Sequence, residues 1–174
     1  MSKAKLRKEL EDFSREQLVE VILAAYDSSP KAKEYFEFFL NPDANQLMDK
    51  VLEGMIKEVN RTKWGVCKAR ISVLRKAVKE FAAFGVGPEK HAELLYLAFR
   101  LILGQAYYYE MPDPLRNGML GFAAEYVTIA ARNDFIESAT TNLEKAITDL
   151  ARPRMAKMIR EYIDTTLTNL KTDK

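Results

Sequence analysis

The stretch PEKHAELLYLAFRLILGQAYYY, residues 88–109, decides the fold. Gly87-Pro88 opens it, and proline is well placed at a first helical position because its missing N–H has no partner there in any case. From Leu94 to Leu103 the residues are apolar nearly all round, as a helix enclosed by other helices requires. The most apolar stretch, Leu94 to Tyr109, is about 16 residues long and is interrupted by Arg100 and Gln105, whereas a membrane span needs roughly 20 apolar residues. The expectation is a buried central helix, ended by MPDP at 111–114.

Helical spacing continues on both sides. Upstream, short helices are expected at about 2–12, 15–27 and 30–40. Ser14-Arg-Glu-Gln17 fits a capping box, with Phe13 and Leu18 at the staple positions. Ser29-Pro30 fits an N-cap followed by proline. Leu18, Val21, Ile22 and Ala25 form the expected inner stripe of the second helix. Ala32, Tyr35, Phe36, Phe39 and Leu40 form that of the third, which leaves Phe38 outside it and hints at a second packing face, as in a dimer. A helix at about 44–60, with Asp43 as its cap, carries a wide stripe from Leu47 to Val59. RTKWGVC, residues 61–67, breaks the pattern and reads as a connection. Further helices are expected at about 68–84, ending at Gly85, and at 115–132, 135–150 and 153–170. Asn133-Asp134 reads as a stop followed by a cap.

The fold class is therefore all-α, with eight or nine helices in a single domain over 1–174. It has an N-terminal helical subregion (1–60) and a helical array (68–170). The later helices start every 20–25 residues, which suits an irregular antiparallel bundle or a short HEAT-like superhelical stack. No repeated residue signature favours the stack.

Composition excludes much chemistry. Seven Gly and six Pro among 174 residues, with nearly half the chain hydrophobic, argue against disorder. The single Cys67 cannot form an internal disulfide, and Cys67 with the single His91 cannot supply a zinc or di-iron ligand set. No calcium loop or phosphate loop is present. No metal, cofactor or catalytic residue is expected. Cys67 has Lys63 and Lys68 as neighbours, which would favour a thiolate, but a small buried residue is the plainer reading. His91 reads as an exposed or capping residue. The N-terminus is charged throughout and resembles no secretory signal. A reduced, cytoplasmic protein without membrane contact is expected.

The net charge of +2 conceals a segregation. Lys57 to Lys79 holds eight bases against Glu58 alone, while Leu101 to Leu150 holds seven acids against three bases. A second basic cluster begins at Arg152. Lys63, Trp64, Lys68, Arg70, Arg75 and Lys76 would suit an anionic partner, with Trp64 free to stack on a base. The competing reading is the solvated side of an amphipathic helix with Trp64 as a loop anchor. Segregated charge would also suit self-association. Tyr107-Tyr108-Tyr109 sweep about 200° around a helix, so they cannot all face one core. At least one ring should reach a groove, an interface or solvent.

The N-terminal third resembles a bacterial family of small all-helical proteins classed as a domain of unknown function. The resemblance rests on the Lys-rich first helix, on Ser14-Arg-Glu-Gln-Leu18, and on Lys33-Glu-Tyr-Phe36 running into Leu40-Asn-Pro42. Leu74-Arg-Lys-Ala-Val-Lys79 is similar as well. The resemblance implies an all-α fold and brings no activity or site residues. The function expected from the residues is a non-catalytic protein–protein interaction module with an unidentified protein partner or a second copy. The alternative is a nucleic-acid binder using 57–79.

Overall fold

A computed structural model describes residues 1–172. Among them are nine α-helices and one two-stranded hairpin, so the fold is all-α. The chain divides into two compact units, Met1–Asp43 and Ala44–Lys174. The division falls ahead of the fourth helix, which belongs with the second unit although the sequence places it in the 1–60 subregion.

The first unit contains α1 (Lys3–Glu11), α2 (Arg15–Ser28) and α3 (Pro30–Leu40). Its caps are those the sequence specifies. Ser14 and Gln17 form the reciprocal capping box, and the Ser29 hydroxyl accepts from the Ala32 amide with Pro30 at the first helical position. Helices α2 and α3 pack on each other, helped by the Tyr26 hydroxyl donating to Glu37 (3.3 Å). The expected inner stripes are only partly covered here, with Leu18, Ala25, Ala32 and Phe36 half-buried. No residue of the three helices is buried, and Val21, Ile22, Tyr35, Phe39 and Leu40 are exposed. Phe38, expected off the stripe, is half-buried. Periodicity marks which side of a helix seeks cover; it does not create the covering surface.

The second unit contains α4 (Ala44–Val59), β1 (Thr62–Lys63), β2 (Val66–Cys67), α5 (Ile71–Ala83), α6 (Pro88–Tyr108), α7 (Asp113–Arg132), α8 (Ile136–Leu150) and α9 (Pro153–Thr172). Helix α6 is the central element. Leu94, Leu95, Phe99, Ile102 and Leu103 are fully enclosed, each stabilising the fold by about 1.5–3 kcal/mol. It packs on α4, α5, α7 and α8, while α7 also packs on α5, α8 and α9. In a solenoid each element meets only its sequence neighbours; this pattern is a bundle around the α6–α7 pair. Gly85 ends α5 in the left-handed conformation, at φ 77°. Asp134 also takes a left-handed backbone (φ 61°) and makes no cap; Phe135 occupies the N-cap position of α8.

Residues 61–67, expected to be an irregular connection, are a β-hairpin. Thr62 pairs with Cys67 and Lys63 with Val66, and the Lys68 amide donates to the Arg61 carbonyl (2.7 Å) to close its base. The two turn residues, Trp64 (φ 54°) and Gly65 (φ 73°), are both left-handed, as a type I′ turn demands. Glycine meets that demand freely and tryptophan does not, so the turn lacks the usual Asn-Gly or Asp-Gly signature.

Candidate interaction surface

Within the second unit, the hairpin is tied to the end of α6. The chain leaves the helix at Tyr109, which is extended, and Glu110 then pairs with Val66 in a parallel bridge. The Cys67 amide donates to the Glu110 carbonyl and the Glu110 amide to the Gly65 carbonyl, both at 2.9 Å. The hairpin that carries Trp64 and the end of the Tyr107–Tyr109 run, far apart in sequence, are therefore joined through Glu110.

Both are open to solvent. The Trp64 residue is 89% exposed and Tyr108 75%, with Tyr107 exposed and Tyr109 half-buried. The Tyr107 and Tyr108 rings meet edge to face at 5.1 Å. Arg152, from the second basic cluster, donates to the Tyr107 carbonyl (2.5 Å), and its guanidinium lies 5.6 Å from the centre of the Tyr107 ring. Lys63 is exposed beside Trp64 on the hairpin. Exposed aromatic rings and cations thus stand both on the hairpin tip and at the end of α6. Of the three consecutive tyrosines, two reach solvent, in line with the angular sweep of three helical positions.

A buried carboxylate anchors the base of this hairpin. Glu58, near the end of α4, is the sole buried charged residue among those described. Its Oε1 accepts from the Arg70 amide (2.8 Å), from Arg70 Nε (3.0 Å) and from Arg61 Nη1 (2.9 Å), and its Oε2 accepts from Arg70 Nη2 (2.9 Å). These donors stabilise the ionised form, so the Arg70 guanidinium above all holds the carboxyl at about 2, against a burial effect that acts in the opposite direction. Arg61 and Arg70 flank the hairpin on either side, and Glu58 binds both. The sequence signal for this role is that Glu58 is the lone acid in the 57–79 block.

The basic set is thus divided. Arg70 is held by Glu58. Arg75 pairs with Glu125, lies 4.6 Å over the Phe122 ring and fills the space beside Gly121, where an added Cβ would stand 2.2 Å from its Nη2. These two arginines build the bundle. Lys63, Lys68 and Lys76 are exposed and make no ion pair with any described residue. Lys68 directly follows β2, and Lys76 lies on α5.

The remaining chemistry is quickly placed. Cys67 is buried, with its Sγ 3.5 Å from the Val59 carbonyl, as the plainer reading of a small buried residue expects. His91 is half-buried rather than exposed, and burial lowers its pKa while the Glu125 carboxylate acts in the opposite sense. No group of three His, Cys, Asp or Glu side chains among the described residues is placed to hold a metal ion, and no helix is long and apolar enough to cross a membrane. Open clefts run along α8 and α9, past Thr140, Glu144 and Asp149.

The backbone of Trp64 makes a measurable prediction. A bulky residue in the left-handed region costs on the order of 1 kcal/mol. Because its side chain buries almost nothing, Trp64→Asn should raise the stability of the unit by about 1 kcal/mol, as asparagine suits a type I′ turn. Thermal or urea unfolding of the two proteins measures the difference; a loss of stability would show that the indole is packed.

Fold and surface together define an all-α protein whose second unit displays aromatic rings and cations on its hairpin tip and at the end of α6. The chain belongs to DUF6155, a family of unknown function, whose model matches residues 1–112. That span contains Trp64, Glu58 and the three tyrosines, and it ends just before α7. No curated protein and no solved structure matches the chain.

Proposed function

We propose that the protein is a non-catalytic, cytoplasmic interaction module that docks a protein partner on the surface formed by Trp64, Tyr107 and Tyr108. One observation carries this reading: the single tryptophan of the chain stands 89% exposed on a turn whose backbone does not suit it. Strained, exposed positions persist where something other than stability retains them. Trp, Tyr and Arg are also the residues that supply most of the binding energy at protein interfaces, since each brings a large rigid contact area. Lys63 and Arg152 beside these rings favour an acidic segment of the partner and speed its approach. Nucleic acid is the weaker reading, because Arg70 and Arg75 are occupied by Glu58 and Glu125.

The test compares the wild-type chain with Trp64→Ala/Tyr108→Ala. A partner captured by the wild type, purified and titrated back, should bind the double variant at least tenfold more weakly and should shift the Trp64 emission of the wild type to shorter wavelength. An unchanged capture profile in the double variant overturns the proposal. So does retardation of single-stranded nucleic acid at low salt that the same two substitutions abolish, because that outcome assigns the surface to nucleic acid.

A further inference from the structure

The first unit presents a separate problem, independent of the hairpin surface. It is three helices long and has no buried residue. Chains of about 40 residues rarely sustain a core without a disulfide, a metal or another subunit. Here there is no cysteine, and apolar side chains remain uncovered on both packed helices. Val19, Val21, Ile22 and Leu23 of α2 and Phe39 and Leu40 of α3 are all exposed. Together they leave on the order of 600 Å² open, most of the roughly 800 Å² per partner that a standard interface buries.

Helix α1 indicates what covers them. Its cations, Lys3, Lys5, Arg7 and Lys8, come first, and its acids, Glu9 and Glu11 with Asp12 at the C-cap, come last. A lone helix prefers the reverse order, with acids at the positive N-terminal end of its dipole and bases at the C-terminal end. α1 has no acid in its first turn. The pattern opposes the dipole of α1 alone and suits α1 beside an antiparallel copy of itself. In that arrangement the cationic half of each helix faces the anionic half of the other, and the two helix dipoles oppose.

We propose that Met1–Asp43 is a dimerisation unit, in which two copies of this chain pair about a twofold axis with their α1 helices antiparallel and the exposed apolar residues of α2 and α3 against one another. Twofold dimers are the commonest closed assembly, and their interfaces are self-complementary by construction.

Sedimentation equilibrium of the full chain tests this. The wild type should be a dimer whose dissociation constant rises with salt, as paired exposed charges are screened. Lys3→Glu/Lys5→Glu/Lys8→Glu should weaken the dimer at least tenfold, even though acids at the start of α1 suit its dipole better and should not lower its helicity by circular dichroism. Adding Glu9→Lys/Glu11→Lys to the same chain reverses both halves and should restore the dimer. A wild type that stays monomeric at the highest soluble concentration overturns the proposal, whether the apolar residues are then open or covered within one chain. A dimer indifferent to the triple substitution overturns it as well, since the interface would lie elsewhere.

Discussion

Replacing Glu58 with alanine is expected to lower the stability of the second unit by about 3 kcal/mol at neutral pH, the low end of the range for breaking a buried ion pair. The carboxylate is nearly enclosed, and it accepts hydrogen bonds from the Arg70 backbone amide and from two guanidiniums. Removing it leaves the amide without that acceptor and two cations facing each other. The loss stays near 3 kcal/mol because the Arg61 and Arg70 side chains are 47% and 60% exposed and can be rehydrated.

The pH dependence follows from the same contacts. The folded carboxyl titrates at about 2 rather than at its ordinary 4.5, a gap worth about 3 kcal/mol. A lowered folded value means that the stabilisation is complete above the unfolded value and is lost as pH falls through the folded one. The wild-type advantage over Glu58→Ala should therefore be full at pH 6, shrink below about 4.5 and be nearly gone at about 2. Urea unfolding of both proteins at three pH values measures it. A difference below about 0.5 kcal/mol at pH 7, of the size seen for ordinary surface substitutions, would show that the network holds nothing.

Gly118→Val is expected to cost about 3 kcal/mol, an overpacking loss at the upper end of its usual range. A Cβ at Gly118 would stand 2.1 Å from Cγ1 and 2.2 Å from Cδ1 of Ile71 at the start of α5. Ile71 is β-branched and has few other rotamers within a helix, so α5 and α7 must separate. Ile71→Ala in the same chain should recover most of the loss, because it removes the atoms in conflict. Thermal unfolding of the two single variants and the double variant gives the coupling. Additive effects would mean that Gly118 is not in contact with Ile71. A shift of α5 also reaches Arg70 at its N-cap, and through it Glu58 and the hairpin.

Much of this was legible in the residues. The apolar run at 94–103 marked α6 as the centre because no helix exposed to water is apolar all round. Ser14, Ser29, Pro30, Gly85 and Pro88 marked their helix ends through local hydrogen bonds that need no tertiary context. Three consecutive tyrosines at a helix end had to place a ring outside the core. The hairpin was illegible because its turn uses Trp64, whose left-handed backbone is imposed by the strand pairing and by the bridge to Glu110. The partition of the arginines was illegible too, since it depends on which carboxylate each one meets in space. For the same reason the stripes of α2 and α3 misled: they mark an apolar preference, and the described chain does not bury it.

The central claim is that Trp64 is displayed to solvent as a contact residue. Because it is the sole tryptophan, its fluorescence reports on the tip alone. The purified protein should emit at the wavelength of indole in water and be quenched freely by acrylamide, then shift to shorter wavelength and become protected when the partner binds. Short-wavelength emission with resistance to acrylamide in the purified protein would contradict the account, because it would mean that Trp64 is an anchor of the fold rather than a surface for binding.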